Sequence, residues 1–260
     1  MESTLIRLDH IEVYAGKTRR FGPVSLAVEA GECLGVAGPN GAGKSTLLNL
    51  LSGRLVPDRG RVTSAPEIDG RDHRRRRGYL AQHQDYRGDL PLTVLDVVLF
   101  GRLPLRSAGQ RFREEDRKAA RASLDRLGLK SLESRLFREL SGGEQRKVHI
   151  ARILAQDPQV LFLDEPCAGL DLRWQEEVTR CVADLHGEGR YTTVMVTHDL
   201  ARLPATCSRI ALIRDGQLLA LGKPEDILKE ETLEPMYGCP VRVEKEGGRF
   251  FVHPAAGERL

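Results

Sequence analysis

Cysteine is scarce and unpaired in this chain. Its five cysteines, Cys33, Cys167, Cys181, Cys207 and Cys239, include no C-x-x-C pair, and their number is odd. That excludes a disulfide framework and a thiolate zinc site, and points to reduced thiols. The seven histidines do not pair at metal-ligand spacing either, so no transition-metal site is expected. Long apolar runs are missing too. The longest candidate, LTVLDVVLFG, is broken by Asp96 and falls short of the roughly 18 apolar residues a membrane span needs. The N-terminus, MESTLIRLDHIEVYAG, has an acid at position 2 and no apolar core, so no signal peptide is expected. A charge excess is also lacking. With 40 Lys and Arg against 37 Asp and Glu, the net charge is +3. Bulk charge therefore does not predict a nucleic-acid binder, and any basic function must be local. No internal repeat and no long linker appear.

What is present suits one large domain, or one domain with a small appendage, in 260 residues. Hydrophobic residues are 40% and charged residues 30%, a globular balance with enough chain for a substantial core. LIRLDHIEVYAG and GPVSLAVEAGE read as two antiparallel strands. CLGV, a glycine-rich turn and STLLNLLSG read as strand, loop and helix. TVLDVVLFGR, EEDRKAARASLDRLG, SGGEQRKVHIARILAQ and DLRWQEEVTRCVADLHG have helical spacing, the last with Trp174, Val178, Val182 and Leu185 inward. QVLFLDEP and TTVMVTHD are apolar strands, and RIALIRDGQLLALG is a hairpin around Asp215-Gly216. PEDILK opens a short helix at Pro224, and VRVEKEGGRFFVH is a last hairpin. Short apolar strands alternating with helices predict a parallel α/β core, with the antiparallel first segment added to it.

Three segments carry chemistry. GPNGAGKST (Gly38, Pro39, Asn40, Gly41, Ala42, Gly43, Lys44, Ser45, Thr46) satisfies G-x-x-x-x-G-K-[ST] in full. Its glycines let backbone N–H groups wrap phosphates, and the following helix points its N-terminus at them. Lys44 reaches the β- and γ-phosphates, and Ser45 offers a hydroxyl to Mg2+. VLFLDEP delivers Asp164 to the end of a buried strand, where it would hold Mg2+ through water. Glu165 next to it would orient or deprotonate the attacking water. LSGGEQRKV opens a helix with Ser141, Gly142 and Gly143, a second phosphate-sized anion site. Ser141 and Glu144 also have capping-box spacing, and the two roles are compatible.

Taken together these segments resemble the ATP-binding cassette (ABC) family, and the likeness runs over at least residues 5–222. The remaining family elements follow in order. Tyr14 matches the aromatic that stacks on adenine. Gln82, in GYLAQ, matches the glutamine that contacts Mg2+ and the water and senses the transmembrane partner. Ala168-Gly169-Leu170-Asp171 matches the loop that crosses the dimer interface, and His198, in VTHD, matches the histidine at the γ-phosphate. The one local departure is Cys167, where the family often has Thr, Phe or Ser. It is either a small apolar filler or a thiol whose modification would block hydrolysis and which ATP would protect.

The resemblance implies an α/β phosphate-loop NTPase core with a mainly parallel sheet, an N-terminal antiparallel β subdomain and a helical subdomain carrying the LSGGE segment. Residues 1–240 would form the ATP-binding domain, the helical subdomain running from about 88 to 157, and residues 241–260 a C-terminal hairpin extension. It implies ATP and Mg2+ as ligands, with Ser45, Gln82 and Asp164 toward the metal and Glu165, His198 and Gln82 catalytic. It implies a homodimer in which Ser141, Gly142, Gly143 and Glu144 close on the ATP of the other copy. Integral-membrane permease subunits would be direct partners, a substrate-binding protein an indirect one, and no nucleic acid is expected. The chain would sit in the cytoplasm, peripheral on the inner face of the cell membrane.

One phosphate loop and one LSGGE segment, with no membrane span and no coiled-coil insert, leave two readings. One is a stand-alone importer ATPase, the other a soluble ABC ATPase acting on an iron–sulfur assembly scaffold or on nucleic acid. DLPLTVLDVVLFGR and the tail GKPEDILKEETLEPMYGCPVRV are similar to ATPases for iron-siderophore, haem, cobalamin and zinc or manganese uptake. The short segment before Gln82 leans to zinc and manganese, the terminal hairpin to chelates. RDHRRRR, with Arg74 to Arg77, is a solvated basic edge, a nucleic-acid grip, or a contact to anionic headgroups worth about 1 kcal/mol per well-placed arginine.

Overall fold

A computed structural model describes residues 3–69, 76–82, 90–107 and 109–255. Two long strands, β1 (Thr4–Ala15) and β2 (Thr18–Glu29), open the chain as the expected antiparallel pair. β4 (Arg59–Ser64) joins the free edge of β1, giving a three-stranded sheet ordered β2-β1-β4. The sequence reading did not foresee β4. Its residues, RGRVTS, are exposed or half-buried and carry no apolar alternation.

The central sheet is built from β3 (Cys33–Ala37), β5 (Arg77–Leu80), β6 (Val160–Asp164), β7 (Thr192–Thr197), β8 (Arg209–Arg214) and β9 (Gln217–Gly222). Their order is β5-β6-β7-β3-β8-β9, and every pairing is parallel except β8 with β9. Strand periodicity divides the side chains between two cores. Val160, Phe162, Val194 and Val196 face the antiparallel sheet and α1 (Lys44–Leu51). Leu161, Leu163, Met195 and Leu212 face the helices on the other side. Strands buried on both faces read as unbroken apolar runs, which is why β6 and β7 were legible.

The helical region holds α2 (Val94–Leu99), a 3-10 segment (Phe100–Leu105), α3 (Glu114–Arg126) and α4 (Gly142–Ala155). α5 (Leu172–Gly187) crosses from β6 to β7. After β9 come α6 (Pro224–Ile227) and α7 (Glu230–Tyr237), then the hairpin of β10 (Val241–Glu246) and β11 (Arg249–Pro254). The hairpin is a separate two-stranded sheet, yet Val243, Phe250 and Val252 pack on the helical core. Because β3, β5, β6 and β7 run parallel, their C-terminal ends share one rim. That rim gathers the phosphate loop, Gln82, Asp164, Glu165 and His198, where open α/β sheets bind ligands.

Candidate functional site

The phosphate loop leaves β3 through glycines at two close approaches. At Gly38 a Cβ would lie 2.0 Å from the Ile213 carbonyl oxygen. At Gly43, with φ +105°, it would lie 2.9 Å from the Phe21 ring. Lys44 is buried, and its Nζ donates to the carbonyls of Gly38 and Pro39, both at 2.9 Å. Burial lowers its pKa, and the Glu165 and Asp164 carboxylates oppose that shift.

Two carboxylates face this loop. The Ser45 hydroxyl donates to Asp164 Oδ1 at 3.2 Å, and burial raises the Asp164 pKa. Glu165 stands in the left-handed region, φ +44°, held by its N–H on the Val196 carbonyl at 3.0 Å. Its carboxylate collects three groups. Lys44 Nζ lies 3.8 Å from Oε1, Gln82 Nε2 donates to Oε2 at 3.2 Å, and His198 Nδ1 stands 3.1 Å from the same oxygen. A cleft of about 640 Å³ lies over these groups, lined by Asn40 to Thr46, Gln82, Glu165, Gly169 and His198. Mg2+ fits the donor set. A hydroxyl and a carboxylate 3.2 Å apart are hard oxygen ligands, and Mg2+ is usually held by one or two carboxylates with substrate phosphates. Among the described residues no group of three or more His, Cys, Asp or Glu could hold a metal unaided.

Other expected residues stand apart from this cleft. Tyr14 is not among its lining residues. The Tyr14 hydroxyl donates to Glu12 at 2.7 Å, and the Arg59 guanidinium lies 5.4 Å from its ring centroid. Ser141 and Glu144 form a complete capping box at the start of α4. The Ser141 hydroxyl and N–H donate to Glu144 Oε2 at 2.7 and 2.8 Å, bonds that lower the Glu144 pKa. Gly143 is required sterically, since a Cβ there would lie 1.8 Å from the Trp174 ring. Trp174 is accordingly half-buried, set against the start of α4. Asp171 caps α5, accepting from the Trp174 N–H at 2.9 Å. None of Ser141 to Glu144 lines the cleft of its own chain. Cys167 is buried, with Sγ 3.6 Å from Thr179 Oγ1, and burial raises its pKa, which is the environment of a filler rather than a reactive thiol.

Three features escaped the sequence reading. Tyr79 donates from its hydroxyl to Asn49 at 3.0 Å, and burial followed by the nearby Asp164 charge pushes its pKa to about 12. Arg146 sends a buried guanidinium from α4 to the rim, a position that helical spacing from Gly143 could have placed inward. Arg77 departs from the basic edge expected for its run. It begins β5 and turns inward, its Nη2 donating to Ser64 Oγ at 2.6 Å. Arg76 is exposed, while Arg74 and Arg75 lie outside the described residues.

A family model described as ABC transporter matches residues 21–168, more than half of the 260. The chain belongs to the ABC transporter family. It is an ATPase, as the family's ATP-binding subunits are. This ABC chain is 39% identical over 255 residues to the hemin import ATP-binding protein HmuV of Nocardia farcinica, covering 95% of this chain and 83% of that one. It is 34% identical over 264 residues to HmuV of Bradyrhizobium diazoefficiens, covering 97% and 95%. Among solved structures, an inward-facing ABC transporter assigned to the metal-chelate type aligns with TM-score 0.83 at 28% identity, covering 96% of both chains. A dimeric bacterial ABC transporter cassette aligns with TM-score 0.69 at 30% identity, covering 84% of this chain and 98% of that one.

Proposed function

We propose that this ABC ATPase works as a head-to-tail dimer and drives uptake of haem or a related metal chelate through a separate permease. The mechanism rests on one observation, the convergence of Lys44, Gln82 and His198 on the Glu165 carboxylate above the phosphate loop. Glu165 Oε2 takes the proton of the attacking water, and Gln82 and His198 keep that oxygen aimed into the cleft. Lys44 exchanges the Gly38 and Pro39 carbonyls for the β- and γ-phosphates of ATP. Ser45, Asp164 and Gln82 would hold Mg2+, which when bound neutralises charge developing on the phosphates. The exposed start of α4, outside its own cleft, serves the nucleotide of a second copy.

Import of a chelate, rather than of zinc or manganese, is supported by near full-length likeness to hemin import ATP-binding proteins. Among the described residues no helix is long and apolar enough to cross a membrane, so the pathway is assigned to the permease. Tagged chain should co-purify from membranes with a polytopic permease. Proteoliposomes holding that complex should take up haem in an ATP-dependent way. Uptake of zinc or manganese in preference to haem, or the absence of any permease, would overturn the reading.

A further inference from the structure

Arg146 sits one turn into α4, just past Gly142 and Gly143, and is only 7% exposed. Its guanidinium fans out over the ends of two strands. Nε donates to the Pro166 carbonyl at 2.6 Å, and Nη1 to Ala81 at 3.0 Å and Gln82 at 3.4 Å. Nη2 donates to the Glu165 carbonyl and to Asp164 at 3.5 Å. These carbonyls lie at and beyond the ends of the β5–β6 ladder, whose last pair is Leu80 with Leu163. One side chain thus joins the turn bearing Gln82, the turn bearing Glu165 and the helix that begins at Ser141.

Packing alone does not account for an arginine here. Burying a guanidinium is costly, and an apolar side chain of similar volume would fill the space more cheaply. What arginine adds is a rigid planar fork of five N–H donors, enough for two chain segments at once. The neighbouring Asp164 and Glu165 charges offset part of the burial. The Gln82–Glu165 contact of 3.2 Å spans the two segments that this fork ties together.

We infer that Arg146 is a positioning residue that sets the spacing between Gln82 and Glu165 and makes that spacing follow the position of the α4 start. The inference rests on the assignment of Glu165 as the base. A second copy's nucleotide, on reaching Ser141 to Gly143, shifts or steadies α4. The fork carries that change to both catalytic turns without a contact to substrate.

The test uses Arg146→Gln and Arg146→Lys in the full chain, each also combined with Glu165→Gln. Steady-state kcat, KM for ATP and thermal melting are measured for every variant. Arg146→Gln should lower kcat about tenfold or more while KM stays within about threefold. Lysine keeps the charge but not the fork, so Arg146→Lys should recover little of the loss, and it supplies the test if the glutamine variant melts too low to assay. Added to Glu165→Gln, either change should alter the residual rate less than about twofold, since the group it positions is already gone. A kcat within about twofold of wild type, or an equal loss in both backgrounds, would overturn the inference. The second outcome would make Arg146 a general brace. Near-normal turnover by Glu165→Gln alone would instead remove the base assignment, and this inference with it.

Discussion

Glu165 combines two features that a carboxylate rarely shows together. Its backbone is left-handed, at φ +44°, and its side chain is 10% exposed with three polar groups around it. Such backbone costs on the order of 1–3 kcal/mol and persists where its surroundings over-determine it. The Val196 carbonyl and the Arg146 fork supply that constraint. The phosphate-loop residues were legible in sequence because backbone chemistry dictates their types and spacing. Arg146 was not, because its acceptors come from two distant segments and no spacing rule links them. Tyr14 carries a prediction at this scale. With Arg59 over one ring face, the other face is proposed to take adenine. Tyr14→Ala should weaken ATP binding by about 1–3 kcal/mol, roughly five- to 150-fold in Kd. Tyr14→Phe should bind nearly as well, because its hydroxyl is engaged with Glu12. Calorimetric titration with ATP checks both, and equal affinities for Tyr14→Ala and wild type would remove Tyr14 from the site.

Elements were easiest to read where the apolar period was strong and hardest where a close contact altered the backbone. The expected helix in the 90s starts at a Thr93–Asp96 capping box, then tightens into the 3-10 segment containing Pro104. Gly101 lies in that segment because of a close contact, since a Cβ there would lie 1.8 Å from the Arg152 carbonyl in the last turn of α4. β5 was missed because its four residues open with an arginine. α7 was missed because Pro235 lies inside it, although Leu233 and Met236 bury one face. The helical region is tied by Asp116 on α3, which is 2% exposed and takes bonds from Arg106 and the Arg113 N–H and, at 3.1 Å, from Arg102. Arg102 also donates to the Ala155 carbonyl at 2.7 Å, which brings in α4. Burial alone would raise the Asp116 pKa, but these donors outweigh it and hold it down to about 2. The folded pKa lies below the unfolded one. The stabilisation is therefore complete above the usual carboxylate value of 3.8 and is lost as pH falls from there toward about 2. It amounts to on the order of 2 kcal/mol. Asp116→Asn, which removes the negative charge facing Arg102 and Arg106, should cost on the order of 3 kcal/mol at neutral pH and flatten the acid limb. Denaturant midpoints across pH 2 to 7 would show it, and an unchanged acid limb would contradict the role.

Across the whole molecule, the parallel sheet gathers the phosphate loop, Gln82, Glu165 and His198 around one cleft on its rim, while the start of α4 stays outside that cleft. We propose that the chain completes its site by pairing head to tail with another copy. The C-terminal hairpin is proposed as an extension of the ATP-binding domain, firmly attached to it. Arg249 grips Glu176 on α5 with two bonds, at 2.8 and 3.0 Å, and these bonds lower the Glu176 pKa. The substrate class could not be read from residues, because no cleft for it is expected on this chain; the sequence left zinc or manganese and chelates side by side, and the near full-length relatives are named for hemin import. The central claim, ATP hydrolysis by Glu165 at a shared site, is tested most directly by one variant. Glu165→Gln, given MgATP, should release phosphate on the order of 10²–10⁴-fold more slowly than wild type. Light scattering should find it at twice the chain mass in MgATP and at the single-chain mass without nucleotide. Phosphate release near the wild-type rate, with no change of mass in MgATP, would contradict the account.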